Sequence, residues 1–191
     1  MEVTLRELVT MIHGMLFGGF FLLALFGMFV LLLDRSSPDR IAVDAIPTQP
    51  AHRWQTIYLI LMVTAGWAAV LSGAYIIYPW YRAIAPVGAD LMLYPKFLLT
   101  ARPSTAGWHN FGMEWKEHVA WIAPMAGTMV AFVLLKHRAA WNAHRVVRNT
   151  ILGFAATAFL AAAIAGGWGA MIDKKAPVQG GRSIQLMGST R

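Results

Sequence analysis

The stretch Met11–Leu33, MIHGMLFGGFFLLALFGMFVLLL, contains no aspartate, glutamate, lysine or arginine. A bilayer core about 30 Å thick is crossed by roughly 20 apolar residues in a helix. This run is long enough, and its backbone N–H and C=O groups can be satisfied in lipid only if it is helical. Three further runs read the same way. Ile57–Tyr81 is uncharged, and Thr150–Ile172 is uncharged and rich in alanine. Val119–Leu135 is shorter and carries Pro124 and Gly127. A proline so near the start of a helix either sits in its first turns or bends it there. The reading is an all-α integral membrane protein with four transmembrane helices in an up-down bundle. The expected helix limits are about 9–33, 56–81, 117–136 and 149–172, within one domain covering 1–191.

Composition agrees. Hydrophobic residues make up 58% of the 191, and charged residues only 13%, against about a quarter in soluble domains. Mean hydropathy is +0.54. These values exclude an ordinary soluble domain and a disordered chain. The net charge of +7 comes from basic residues scattered between apolar runs, which fits a membrane and not a nucleic acid. Cysteine is absent. That excludes disulfides, thiolate-held iron–sulfur clusters, cysteine zinc sites, covalently attached c-type haem and cysteine nucleophiles. The segment before the first span carries Glu2, Arg6 and Glu7 in place of a basic cluster, so the span is expected to persist in the mature protein and not to be a cleaved signal.

The connections differ in kind. Asp34–Trp54 is polar and proline-bearing, and Lys136–Asn149 is short and basic. Arg82–Lys116 reads as a long loop between the second and third helices. Its apolar portion, Leu91–Ala101, is expected to lie on the membrane surface or against the helices. The tail 173–191 reads as extended and polar, ordered only by a partner. Four spans place both termini and the 82–116 loop on one side. The opposite loops concentrate Arg35, Arg40, Arg53, Lys136, Arg138, Arg145 and Arg148, which predicts that they are cytoplasmic and the termini periplasmic in a bacterial inner membrane. Trp80, Tyr81, Trp108 and Trp115 are expected at the periplasmic interface. Trp54, Tyr58 and Trp141 are expected at the other.

His13 and His118 open the first and third spans, hence lie at similar depth on the periplasmic side. A haem needs one nitrogen donor above its plane and one below, and two helices can supply them. Intramembrane ionisable residues are functional candidates. In a helix Glu114 shares a face with His118 and can fix its tautomer through Nδ1–H. Lys116 and Glu117 are expected to snorkel to the interface. Arg82 and Arg102 can pair with haem propionates or with lipid phosphates. This layout of four spans with interfacial histidines resembles small membrane cytochrome b subunits, although many other proteins share it.

Plainer readings accompany these. Gly14 and Gly18 form a GxxxG packing motif. Glu114 and Glu117 also suit the positive end of a helix dipole. The same carboxylates with His118 could belong to a metal site, but no other span offers a matching carboxylate. His118 and His137 stand nineteen residues apart, roughly 28 Å along a helix, and so do not make the usual two-histidine span of a double-haem protein. A second haem on the cytoplasmic side would need His52 with His137 or His144, and a solvated basic loop explains those residues more simply. His109 is an alternative ligand outside the expected span. The methionines read as packing residues. No Walker A, dinucleotide, GxSxG or HExxH motif is present.

Two functions follow. The first is a haem-b-bearing subunit of a respiratory or photosynthetic electron-transfer complex. It would exchange electrons with quinone or an extrinsic carrier, its iron held by His13 and His118. The second is a cofactor-free structural or assembly subunit of a larger membrane complex. A proton or ion conductor ranks behind both, because the middle of each span lacks an ionisable group.

Overall fold

The computed structural model describes residues 2–34, 49–137 and 144–185. Most of the 34–54 loop with Arg35 and Arg40, Arg138 and Trp141, and the tail beyond Gln185 lie outside the described residues. A short strand β1, Glu2–Thr4, leads into helix α1. Thr4 and Glu7 form a capping box: the Glu7 carboxylate accepts from Thr4 N–H at 2.8 Å, and Thr4 Oγ1 accepts from Glu7 N–H at 3.3 Å. This satisfies N–H groups that the first helical turn leaves without partners. Helix α1 runs through Leu5–Met11, a widened π segment Ile12–Gly19, and Phe20–Asp34.

Helix α2 comprises Gln49–Ser72, a second widened segment Gly73–Ile77, and Tyr78–Tyr81. Pro79 stands two residues past the end of that widened segment. It has no N–H to offer the preceding turn, and a local change of helical pitch accommodates its ring. A single turn at Leu91–Leu93 and a short helix α3, Pro95–Thr100, come next. Helix α4 then combines Pro103–Gly107, a third widened segment Trp108–Met113, and Glu114–His118. After a turn, α5 occupies Ile122–Lys136, with Pro124 in its first turn. Helix α6, Arg145–Lys175, is followed by strand β2, Ser183–Gln185.

Among the described residues four helical stretches are long and apolar enough to cross a membrane: Leu5–Val30, Arg53–Tyr81, Pro103–Lys136 and Arg145–Lys175. Two expectations change. The long loop at 82–116 shortens, because 103–118 is helical and leads into α5. This segment is polar in sequence, yet it buries Gly112 and Met113, and Gly112 packs directly on Trp168 of α6. The tail is held as far as Gln185 by the chain itself: β2 pairs antiparallel with β1, Val3 facing Ile184. Its Arg182 carbonyl also accepts from Leu5 N–H at 2.9 Å.

The helices pack around a main core, with a second buried cluster about Tyr81. Helix α6 lies along α5 and also meets α1, while α2 lies between α1 and α5. Leu25, Met28, Leu59, Met62, Val130 and Ile151 fill the centre. Ala155, Ala158, Ala161 and Ala165 are buried on one side of α6, where small side chains allow close helix approach. The Phe21 ring lies over two glycines. A Cβ at Gly66 would come within 2.8 Å of it and one at Gly127 within 3.2 Å. Polar ties are few: the Tyr58 hydroxyl donates to the Ala24 carbonyl, and Trp67 Nε1 donates to Thr128 Oγ1 at 3.1 Å. Outward positions such as Met15, Leu23, Phe26, Phe132 and Leu160 are apolar and exposed, as contact with lipid tails requires.

Candidate cofactor site at the end that carries the termini

The three widened segments lie at one end of the bundle. The first contacts α2 and α6, the second contacts the start of α1, and the third contacts α6. Each includes glycine. Widened turns are rare and are found disproportionately at functional sites. Ionisable side chains collect at this end.

His13 sits in the first widened segment, half-buried, with Nδ1 3.0 Å from Ser72 Oγ of α2. The Ser72 hydroxyl also reaches the Ala68 carbonyl at 2.6 Å. A carbonyl only accepts, so the hydroxyl proton is committed to it, and Ser72 Oγ accepts from His13 Nδ1–H. This leaves the lone pair on Nε2. Gly73 makes the approach possible, since a Cβ there would stand 2.8 Å from His13 Cε1.

His118 ends the last segment of α4. Its Nδ1 lies 2.9 Å from the Glu114 carbonyl oxygen and 3.6 Å from the Glu114 carboxylate. The expected hydrogen bond to the Glu114 carboxylate is replaced by one to its backbone carbonyl, and the carboxylate lies at ion-pair distance only. Both side chains point outward, 71% and 53% exposed. Lys116, two residues earlier, turns the other way. Its Nζ lies where a Cβ on Gly169 of α6 would be only 2.9 Å away. It does not snorkel outward as expected, because Gly169 leaves room for it against the neighbouring helix. Among the described residues no hydrogen bond or ring contact joins His13 to His118. One turns to α2 and the other turns out of the bundle.

A second polar pair is more fully buried. The Tyr81 hydroxyl is 2.8 Å from His109 Nδ1, with the rings 5.8 Å apart. His109, expected outside the helices, is buried in the third widened segment. Tyr81, expected as an interfacial aromatic, is fully enclosed among Leu99, Met113, Ile172 and Val178. Next along α2, Arg82 donates to the Tyr78 hydroxyl and stacks on its ring at 5.2 Å. Arg102 is exposed and precedes α4, its carbonyl accepting from Thr105 and Ala106. Glu117 Oε1 and Trp115 Nε1 are buried without hydrogen-bond partners among the described residues, so this carboxylate oxygen turns inward and not outward as expected.

Ser72, Gly73 and Tyr81 carried no signal for these roles in sequence, because each lies inside an apolar run that reads as span. His137 and His144 are exposed at helix ends, as a basic solvated loop requires. Among the described residues no three His, Asp or Glu side chains stand close enough to hold a metal ion. Comparison with protein-family models, with curated proteins and with solved structures finds no match.

Proposed function

We propose that this chain is a multi-pass subunit of a bacterial inner-membrane electron-transfer complex, respiratory or photosynthetic. In this reading it carries one haem b at the periplasmic end and exchanges electrons with quinone or an extrinsic carrier through partner subunits. The observation that supports it is the state of the histidines. In His13 and in His118 Nδ1 is already engaged, by Ser72 Oγ and by the Glu114 carbonyl, which leaves Nε2 as the nitrogen for iron. Haem would supply one-electron chemistry. The chain's own residues would orient the imidazoles, and Arg82 and Arg102 would offer cations to the propionates. His13 fits the role of ligand best. His118 has the right nitrogen free but faces outward, so pairing the two on one iron requires the end of α4 to turn.

That outward position also favours a second reading. A cofactor-free structural subunit would leave His118 and the exposed apolar faces for contacts with other subunits of its complex. One experiment separates the two. The protein is isolated in detergent with its native partners, and a reduced-minus-oxidised spectrum is recorded with a pyridine haemochrome assay. The haem reading expects a b-type signal that falls in His13→Ala and in His118→Ala. A signal retained in both variants removes the proposed ligands, and its absence from the wild-type complex supports the structural subunit.

A further inference from the structure

At the end that carries the termini, Arg6 of α1, residues 83–94 of the connection after α2 and the tail line a pocket of about 390 Å³. Arg6 lies at its wall. Its guanidinium sits over the Trp80 ring at 5.5 Å and uses one N–H to reach the Gln179 carbonyl at 3.4 Å. Among the described residues no carboxylate lies within ion-pair distance of it. The nearest acidic neighbour in sequence, Glu7, is committed to the capping box with Thr4. Arg6 is thus held in place by an aromatic face and a backbone carbonyl, with most of its five donors unspent among the described residues.

Next to Arg6 the lining is bare backbone. Gly180 and Gly181 have φ of +105° and +84°, a region that side chains disfavour, and they bring the chain close to Arg6. Tyr94, Ile84 and Leu93 complete the lining. Ile84 is 83% exposed, and Val87 beyond it is fully exposed. The pocket therefore joins a fixed cation, without an ion-pair partner among the described residues, to an apolar rim beside Trp80. An anionic amphiphile has matching parts in the same order: a phosphate for the fork of the guanidinium and acyl chains for the rim.

We propose that this pocket binds the phosphate headgroup of an anionic phospholipid from the adjoining leaflet. The site is independent of the haem reading and stands or falls without it. The test uses the full chain in detergent, delipidated and then titrated with phosphatidylglycerol, with phosphatidylcholine and with inorganic phosphate, and followed by native mass spectrometry. Phosphatidylglycerol is expected to be retained preferentially. Arg6→Gln should weaken it by roughly tenfold or more, the value of a charge-assisted hydrogen bond. Ile84→Asp changes an exposed rim position that the fold does not depend on, and its negative charge should weaken the same lipid. Equal retention of the two lipids, or unchanged retention in both variants, overturns the proposal. Displacement by inorganic phosphate would assign the pocket to a free anion and overturn the lipid assignment.

Discussion

Tyr81 and His109 meet through a hydrogen bond of 2.8 Å in a place water hardly enters, the tyrosine 1% and the histidine 8% exposed. Among the described residues neither side chain has another hydrogen-bond partner, so each satisfies the other. Tyr81→Phe keeps the ring and removes the hydroxyl. It is expected to cost about 1–3 kcal/mol, because a buried nitrogen loses its partner. The measurement is the unfolding midpoint in detergent. In a cycle with His109→Leu, the double variant should lose less than the two single losses added together. Strict additivity would show that the contact is not energetically coupled.

Ser72→Ala removes the acceptor that sets the His13 tautomer. Under the haem reading it is expected to weaken haem retention by roughly tenfold or more, as loss of a ligand's hydrogen-bond partner does. Ser72→Thr should restore it, because the hydroxyl is kept. Haem content unchanged in Ser72→Ala would show that Ser72 does not orient a ligand.

The Phe21 ring leaves no room at Gly66. A methyl group there would meet three ring atoms at 2.8, 3.0 and 3.1 Å, while Gly127 closes the other approach. Gly66→Ala should therefore destabilise by about 1–3 kcal/mol through overpacking. Phe21→Leu in the same chain should recover part of the loss. Gly153→Ala is the control, since nothing lies within 4 Å of its added methyl, and removing a helical glycine there should stabilise by about 0.5–1 kcal/mol. Equal effects at the two glycines would refute the packing argument.

The tail carbonyls of Arg182 and Gly180 accept from the Leu5 and Arg6 amides at 2.9 and 3.4 Å. Ending the chain at Lys175 removes both acceptors along with β2. Hydrogen exchange at Leu5 and Arg6 should accelerate to the rate of a frayed helix end, with protection in the cores of α2 and α5 unchanged. Continued protection at Leu5 would mean that the tail is not what shields it.

The spans were legible because crossing a bilayer imposes a length and an apolarity that few other constraints imitate, and Met11–Leu33 meets both. Segment 103–118 was not. WHNFGMEWKEH has the polarity of a loop, and it is helical because Gly112 and Met113 find Trp168 and Ile172 to pack on, a contact remote in sequence. The same distance hid the partners of His13. Its place at the start of a span marked it as a candidate, but Ser72 and Gly73 look like ordinary small residues of α2 until the two helices are set side by side. Glu114 and His118 were legible as neighbours because a four-residue spacing brings them together in any helix. The direction they face depends on where Lys116 goes, and that depends on Gly169.

The ribbon of β1 and β2 has a mechanical consequence. Glu2 faces Gln185 at its outer edge, and Thr4 faces Ser183 at its inner edge. Force that draws residues 2 and 185 apart therefore loads the rungs one after another and peels them like a zipper, not all together in shear. In a single-molecule pulling experiment the first event should be a small, low-force extension as the ribbon opens. Only then would tension reach α1 and α6, so the ribbon acts as a fuse between the chain ends and the helices.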